Sequence, residues 1–338
     1  MSKRRVTLRF LSEQTGFDVS TISRVLRDDA TLSIRPENIE RIKKAARDFN
    51  YVPDMAGRSL RASRSFSIGV ILPSLQNQIH AQIVEGASRA SRDRGYSLII
   101  AHADASVRPG ALVDELVARN RIDGLMSLTF RDDLRQAVVG RAMEIPVMAV
   151  NWRADGFENW VTFDEAPGAR LAVQHLIDLG HRKIAHLSGD LKRFNAIERH
   201  SGYRQALETS GIAFDEKLIE PSGYNYDDGV RAINALMDRA EGEFSAIFAV
   251  SMLTAAGAMH GLRQRGIAVP DQISVIGFND GAVAEVVSPS LSTVAYPLAE
   301  LGAAAADGMI DIIEGRCASY QKVIGTPSLM SRASTAAR

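Results

Sequence analysis

Hydroxyl and guanidinium side chains cluster near the start of the chain, in the stretch STISRVLRDD at residues 20–29. Wound as an α-helix, this stretch brings Ile22 and Val25 onto one apolar face, while Ser20 and Arg24 face outward. A hydroxyl group can donate a hydrogen bond to a phosphate oxygen, and a guanidinium group can pair with guanine in the major groove. The pattern indicates a DNA-contacting surface; the alternative for a single outward arginine is a solvated surface charge.

Position on this helix predicts a role for each outward side chain. Val19 and Ser20 stand in the first turn, where the side chains of a recognition helix reach base edges. Thr21 and Ser23 offer short hydroxyl groups to phosphate oxygens, and Arg24 is placed to read a guanine. We therefore predict that these five residues contact double-stranded DNA.

Three short helices are predicted to carry this surface. Thr7, which we also count among the DNA-contacting residues, caps the first helix, and Asp18 caps the second. Pro36 starts the third helix. A helix, a glycine turn, a second helix and a supporting third helix are the order typical of a helix-turn-helix DNA-binding domain, which we assign to residues 1–52.

The stretch VPDMAGRSLRASRS, at residues 52–65, predicts a joint between this domain and the rest of the chain. Pro53 ends the preceding helix, and the short helix that can follow is not stable without a partner. We therefore assign residues 53–66 to a hinge helix and linker. When the hinge folds on DNA, Leu60 would press between base pairs in the minor groove and Arg58 would hold a phosphate; the alternative for Leu60 is packing against the body.

Charge is distributed unevenly along the 338 residues, although the formal net charge is zero. Residues 1–65 contain 14 Lys or Arg and 8 Asp or Glu, whereas the other 273 residues contain 26 and 32. A basic segment is suited to phosphate contacts, and an acidic remainder is repelled by phosphates. The distribution indicates a small nucleic-acid-binding module attached to a larger acidic body.

From residue 67 onward, short β-branched runs alternate with longer amphipathic segments. The runs SIGVIL, YSLII, GLMSL, PVMAVN, KIAHL, SAIFAV and ISVIGF are typical of buried parallel strands. The segments 79–94, 165–179 and 253–265 are predicted to be helices between strands. We expect a doubly wound α/β body over residues 67–338, with two lobes, a parallel sheet in each lobe and a cleft at the carboxyl ends of the strands.

Composition and motifs argue against several classes of protein. The hydrophobic fraction of 46% suits a globular chain, and neither a run of 18 apolar residues nor a signal peptide is found, so we expect a cytoplasmic protein with no membrane partner. Cys317 is expected to be an incidental thiol, and His181 and His186 to be structural. No nucleophile elbow, phosphate-binding loop or metal-ligand pattern is found, so we expect no enzyme activity, cofactor or metal.

Several separated stretches resemble the LacI/GalR family, and the resemblance covers nearly the whole chain. VTLRFLSEQTGFDVSTISRVLRDD is similar to the helix-turn-helix of that family, YVPDMAGRSL to its hinge, LIDLGHRKIAHLSGD to the opening of its second lobe, and VPDQISVIGFND to a late strand. The resemblance implies a repressor whose body is like periplasmic sugar-binding proteins and whose DNA affinity is altered by a small effector. Because residues 297–338 lack a leucine heptad tail, we expect a homodimer rather than a tetramer.

The resemblance also implies which residues contact the effector. They open the first helix of the body, follow the first-lobe crossover, begin a second-lobe helix, or stand at strand ends on the same cleft wall. The predicted effector-binding residues are Ile79, His80, Trp152, Arg193, Asn195, Arg199, Phe248, Ser251 and Asn279.

One departure from the family bears on the effector. Asn279 stands where the family usually has an aspartate that accepts hydrogen bonds from sugar hydroxyls. Replacing a carboxylate by a neutral amide beside Arg193, Arg199 and His80 favours an effector with negative charge or many acceptor atoms. The alternative for Arg199 is a contact that packs the lobes.

Taken together, the sequence predicts a transcriptional repressor with two DNA-binding heads in a homodimer, which read an inverted-repeat operator in double-stranded DNA. A small effector, a sugar or sugar derivative, would change the angle between the lobes and so decide whether the hinge helices fold on DNA. Two alternatives remain: a solute-binding protein that delivers its ligand without regulating DNA, and an α/β enzyme.

Overall fold

The computed structural model describes residues 6–26, 29, 31–51, 64–75, 77–103, 109–117, 121–128, 136, 144–154, 157–240 and 242–338. Contacts divide the chain into two compact units, Met1–Arg64 and Ser65–Arg338. Each unit is described by itself below. The predicted hinge helix falls largely on residues 52–63, which lie outside the described residues.

The amino-terminal unit contains the three predicted helices. They are α1 (Leu8–Thr15), α2 (Val19–Val25) and α3 (Pro36–Asp48). Their apolar faces meet in one small core, whose buried members are Leu11, Ile22, Val25, Ile42 and Ala46. A helix spacing of three and four residues places these side chains inside, as the sequence pattern predicts.

Eight helices and twelve strands are described in the carboxy-terminal unit. The helices are α4 (Gln78–Asp93), α5 (Pro109–Val117), α6 (Glu165–Asp178), α7 (Phe194–Thr209), α8 (Tyr226–Ala240), α9 (Met252–Gln264), α10 (Ala282–Val286) and α11 (Leu298–Ile313). The strands are β1 (Ser67–Leu72), β2 (Ser97–His102), β3 (Gly124–Ser127), β4 (Val147–Val150), β5 (Trp160–Thr162), β6 (Ile184–Leu187), β7 (Ile219–Glu220), β8 (Ala246–Ala249), β9 (Ser274–Phe278), β10 (Ser292–Ala295), β11 (Gln321–Val323) and β12 (Ser328–Met330).

Two six-stranded sheets form the two lobes of this unit. The first has the order β11-β5-β4-β3-β1-β2, with every pair parallel. The second has the order β12-β10-β9-β8-β6-β7, where only β12 runs antiparallel to its neighbour. The predicted α/β body of two lobes with parallel sheets is therefore confirmed, and the seven strands predicted from apolar runs are all present.

The chain passes between the two lobes three times, after β5, after β10 and after β11. Polar residues that follow parallel strands at their carboxyl ends gather at one edge of each sheet. Asn151 follows β4, Asp190 lies beyond β6, Ser251 lies beyond β8 and Asn279 follows β9. These positions make the cleft described below. Among the described residues, none of the helices combines the length and apolar composition needed to cross a bilayer.

Helices α4 and α11 pack closely in the first lobe because each has a glycine at the contact. A Cβ atom on Gly86 would lie 1.8 Å from the carbonyl oxygen of Ala299, and one on Gly302 would lie 1.8 Å from the carbonyl oxygen of Ile83. Both distances are far below van der Waals contact with backbone atoms, which cannot rotate away. The two backbones therefore approach as closely as only glycine permits.

We expect Gly302→Ala to lower the free energy of unfolding by about 1–3 kcal/mol, because the added methyl group forces the two helices apart. Urea unfolding followed by circular dichroism measures the change. Glu85→Ala, an exposed change on α4 beside the contact, serves as control and should stay within about 0.5 kcal/mol. Equal stability of Gly302→Ala and the parent chain would contradict this packing.

Candidate functional site

The predicted DNA-contacting helix α2 begins with a well-formed cap. Gly16, at the end of α1, has φ +76°, a left-handed conformation that turns the chain toward α2. Oδ1 of Asp18 accepts a hydrogen bond from the backbone N–H of Ser20 at 2.7 Å. The pKa of Asp18 is lowered, chiefly by its hydrogen bonds with Ser20. Oγ1 of Thr7 caps α1 in the same way, by accepting a hydrogen bond from the backbone N–H of Phe10 at 3.2 Å.

The outward side of α2 is accessible at its first turn. Val19 and Ser20 are exposed, and Thr21, Ser23 and Arg24 are half-buried. Side chains that begin a recognition helix need this access to reach base edges. The structure thus brings the five predicted contacts of α2 onto one short helix, and their contact with DNA stays a prediction.

Arg24 already has partners within the unit. Its Nε atom lies 2.8 Å from Oδ2 of Asp29, and its Nη2 atom donates a hydrogen bond to Oγ1 of Thr31 at 2.9 Å. The hydrogen bond from Arg24, with a further contribution from Thr31, holds the pKa of Asp29 well below its usual range. Sequence reasoning missed these partners, because Asp29 and Thr31 follow the helix and share no periodicity with it.

Two further predicted DNA contacts, Arg58 and Leu60, lie in residues 52–63, outside the described residues. Their roles as phosphate contact and minor-groove wedge stay predictions.

A cleft of about 860 Å³ brings together seven of the nine predicted effector-binding residues. These are Ile79, His80, Arg193, Asn195, Arg199, Ser251 and Asn279. They come from helices and strand ends of both lobes. The separated sequence positions therefore converge on one cavity, which is the candidate ligand site.

Trp152 and Phe248 do not line this cleft. Trp152 is 2% exposed, donates its indole N–H to the carbonyl oxygen of Ser127 at 2.8 Å and packs edge-on against Phe157. Phe248 is fully buried and stacks on His186. Both side chains are used in the cores of their lobes, so a direct effector contact by either residue finds no support in the cleft geometry.

A buried ion pair joins Arg199, which lines the cleft, to Glu165, which lies behind it. Nε of Arg199 lies 2.9 Å from Oε2 of Glu165, and both side chains are almost fully buried. Nη1 of Arg199 donates a hydrogen bond to the carbonyl oxygen of Val250 at 2.6 Å, and its guanidinium carbon stands 4.0 Å from the ring centre of Phe278. Asn195 donates to Oε1 of Glu165 at 2.8 Å. Arg199 is thus fixed in place by several elements of the second lobe.

Several polar atoms in the cleft have no hydrogen-bond partner among the described residues. Oδ1 of Asn151 and Oδ1 of Asn195 are buried acceptors without a donor, and the hydroxyl group of Tyr224 is also unpaired. Buried polar groups are rarely left unsatisfied, since each costs free energy. A ligand with several hydroxyl groups can supply the missing hydrogen bonds.

His80 stands at the first-lobe side of the cleft in an environment that disfavours its charged form. Burial lowers the pKa of His80, although the hydrogen bond between Nδ1 and the carbonyl oxygen of Ser74, at 2.9 Å, opposes this shift. Burial thus disfavours a positive charge on the imidazole, and its Nδ1–H donates to the carbonyl oxygen of Ser74.

The cleft also has walls that sequence reasoning missed. The loop before α8 supplies Tyr224 and Asn225, the first turn of α8 supplies Asp227 and Asp228, and the residue after β4 is Asn151. Asn151 and Asn279 both have left-handed backbones, with φ of +66° and +64°. An asparagine directly after an apolar strand is a signal for such a position, because asparagine tolerates this conformation better than most residues.

Known transcriptional regulators resemble this chain over almost its whole length. Residues 173–335 match the family model of a periplasmic binding protein-like domain. The chain is 31% identical to the HTH-type transcriptional regulator CelR of Thermobifida fusca, over 98% of this chain and 99% of that protein. A solved CelR–cellobiose complex matches with a TM-score of 0.73 and 30% identity, over 98% of this chain and 100% of that chain. A LacI family regulator from Mycobacterium smegmatis matches with a TM-score of 0.75 and 29% identity, over 80% and 99%.

A helix-turn-helix unit followed in one chain by a two-lobed ligand-binding fold defines the class of ligand-responsive transcriptional regulators. Similarity to CelR over nearly the full length of the chain narrows this class to one family. The chain belongs to the LacI family of transcriptional regulators.

We expect Asp18→Ala to loosen the first turn of α2, because it removes the acceptor for the Ser20 amide. Hydrogen exchange of the backbone amides of residues 20–25 should become faster. Asp18→Asn is the matched control, since asparagine also caps helices.

The carboxylate of Asp18 has a lowered pKa in the folded chain, so its contribution to stability is complete above about pH 4 and is lost as the pH falls through the pKa of the folded state. Exchange in Asp18→Ala that is as slow as in the parent chain would contradict the cap. A pH dependence of exchange that is as large in Asp18→Asn as in the parent chain would also contradict it.

Proposed function

We propose that this protein is a repressor that binds a specific operator and whose affinity for that operator is set by a carbohydrate bound in the cleft. The observation that carries the carbohydrate assignment is the set of unpaired acceptors, Oδ1 of Asn151 and Oδ1 of Asn195. Sugar hydroxyls are donors as well as acceptors, so they suit a site that needs both. The cellobiose bound by the related CelR supports the same chemical class.

The cleft offers a matching set of partners for such a ligand. Nη2 of Arg199 is not used by the contacts of that side chain among the described residues, so it is a donor for a ligand oxygen. The hydroxyl of Tyr224 can donate or accept, and the amide of Asn279 can do both. The apolar side of a sugar ring would rest against Ile79.

Polar contacts between the lobes supply the path for allostery. Nδ2 of Asn195, in the second lobe, donates to the carbonyl oxygen of Asn151, in the first lobe, at 3.0 Å. On another side, Nε2 of Gln82 donates to the carbonyl oxygen of Asp280 at 3.3 Å. A ligand that bonds to Asn151 and Asn195 together would fix the angle between the lobes. A fixed angle sets the distance between two hinges in a homodimer, and so their fit to an inverted repeat.

The homodimer and the operator contacts are parts of the same proposal. Helix α2 would read base edges through Val19, Ser20 and Arg24, and Thr21 and Ser23 would contact phosphates. A two-fold symmetric operator requires two copies of the chain. Such a regulator acts on the chromosome, which supports a cytoplasmic location.

A solute-binding protein that only delivers its ligand is the second candidate. Membership in a family of transcriptional regulators and the helix-turn-helix unit both favour regulation of DNA. Selection of bound genomic fragments, followed by binding to the recovered duplex and to a scrambled duplex with and without cellobiose or ribose, tests the proposal. Preference for the recovered duplex is expected; equal binding of both duplexes under every condition would refute it.

We expect Arg24→Ala to weaken binding to the selected operator by about 1–3 kcal/mol and to relax the choice of one base pair, because a bidentate contact to guanine is lost. Arg47→Ala, which removes an exposed charge from α3, is the matched control and should weaken all duplexes alike. Fluorescence anisotropy over operators with single substitutions measures both effects. A uniform loss in Arg24→Ala would reassign this arginine to a phosphate.

We expect Asn195→Ala to reduce the affinity for the sugar that acts on operator binding by about 5- to 150-fold, equivalent to about 1–3 kcal/mol, because a buried acceptor and the link to the first lobe disappear. Calorimetric titration measures the affinity. Operator binding without sugar should be retained, and Gln205→Ala, on the exposed side of α7, should bind sugar normally. Unchanged sugar affinity in Asn195→Ala would remove Asn195 from the site.

A further inference from the structure

The carboxyl group of Glu165 accepts a hydrogen bond at each of its oxygens from a described residue. Oε1 accepts the hydrogen bond from Asn195, and Oε2 accepts the one from Arg199. A protonated carboxyl group would have to donate from one of these oxygens, and the described residues around it offer N–H groups there instead. Burial raises the pKa of Glu165, but the guanidinium of Arg199 opposes this rise. The geometry is satisfied by the ionised carboxylate beside the ionised guanidinium.

The other charged side chains that line the cleft are either paired with a side chain of opposite charge or are carboxylates. Nε of Arg193 lies 3.2 Å from Oδ2 of Asp190. Asp227 and Asp228 add two further carboxylates, and Asp228 is paired with Arg231 on the same helix. Burial disfavours a positive charge on His80. Each guanidinium group in the described lining therefore has a carboxylate partner, and none is left to balance an anionic ligand.

This balance argues against the anionic effector that the sequence favours. The amide of Asn279 and the nearby arginines favour an acidic or phosphorylated effector only if the arginines carry uncompensated charge. Glu165, which sequence reasoning did not include, supplies the missing carboxylate from behind the cleft. An anion entering the cleft would lose its hydration and meet further carboxylates, whereas a hydroxyl group can accept from Nη2 of Arg199 without that cost.

We propose that Glu165 is a specificity-determining residue which, by compensating the charge of Arg199, makes the cleft select uncharged, hydroxyl-bearing effectors over anionic ones. The inference rests on the proposed function, because it concerns the ligand of the same cleft. Glu165 does not line the cleft itself and acts through Arg199, so it is a positioning residue. Removing its charge, while keeping its shape, turns the cleft into a site that accepts anions.

Glu165→Gln is the variant that tests this proposal in the full-length protein. Inorganic phosphate is the probe, titrated at constant ionic strength while thermal unfolding is followed. The midpoint of thermal unfolding of Glu165→Gln is expected to rise by about 2–4 °C and then to level off as phosphate is added. The reason is that phosphate binds the uncompensated Arg199 in the folded state only. The parent chain should show no saturable rise. Glu208→Gln removes the same charge from the exposed end of α7 and should behave like the parent chain.

A second variant separates charge from packing. Glu165→Gln combined with Arg199→Gln leaves neither buried charge and should not respond to phosphate. The proposal is overturned if phosphate leaves the unfolding midpoint of Glu165→Gln unchanged. It is also overturned if phosphate raises the unfolding midpoint of the parent chain by the same amount.

Failure of Glu165→Gln to fold in dilute buffer is also informative. In that event phosphate should restore its folding, and the double variant should fold without phosphate, since no guanidinium is left unpaired. A double variant that stays unfolded would show that Glu165 is needed only for packing and would overturn the proposal. The measurement uses neither DNA nor sugar, so its result is independent of the operator-binding experiment that decides the proposed function.

Discussion

The buried pair between Glu165 and Arg199 is the interaction on which the cleft depends. Glu165 begins the first helix after the chain crosses from β5 into the second lobe, and Arg199 lies one turn into α7. Because Arg199 also bonds to the carbonyl oxygen of Val250 and faces Phe278, the pair ties α6 and α7 to the ends of β8 and β9. A buried charge without its counter-ion is strongly unfavourable, so neither residue can change alone without cost. The position of Asn195, and with it the contact to the first lobe, follows from the same carboxylate.

The two lobes are joined by three chain crossings and, among the described residues, by the following side-chain contacts. The contacts of Asn195 with Asn151 and of Gln82 with Asp280 each use a backbone carbonyl oxygen as acceptor. Arg153, after β4, adds a contact of another kind, since its guanidinium lies 4.7 Å from the ring centre of Phe194, at the start of α7. Contacts of this type are individually weak, so a ligand of ordinary affinity is able to shift the balance between lobe arrangements.

Much of the fold could be predicted from local pattern, and the reason is visible in particular elements. The strands β4 and β8 are entirely buried, so their apolar runs are unambiguous, and Asp18 and Pro36 mark helix starts by their own chemistry. The short strands β7, β11 and β12 are half-buried or exposed and give no such signal. Glu165 was missed because its role depends on Arg199, a residue 34 positions away on another helix. No spacing along the chain reveals that these two charges cancel, which is why the sequence favours an anionic ligand whereas the structure leads us to propose an uncharged one.

The contact of Arg24 with Asp29 and Thr31 has a consequence for discrimination between duplexes. An arginine that is already satisfied within its own domain gains little by moving to a lone phosphate oxygen, which replaces one anionic partner by another. A guanine edge presents two acceptors in the plane of the guanidinium and can draw the side chain away. Under the proposed contact with guanine, the bonds of Arg24 to Asp29 and Thr31 would weaken binding to arbitrary sequence more than binding to the operator, and would shorten the time spent on the rest of the genome.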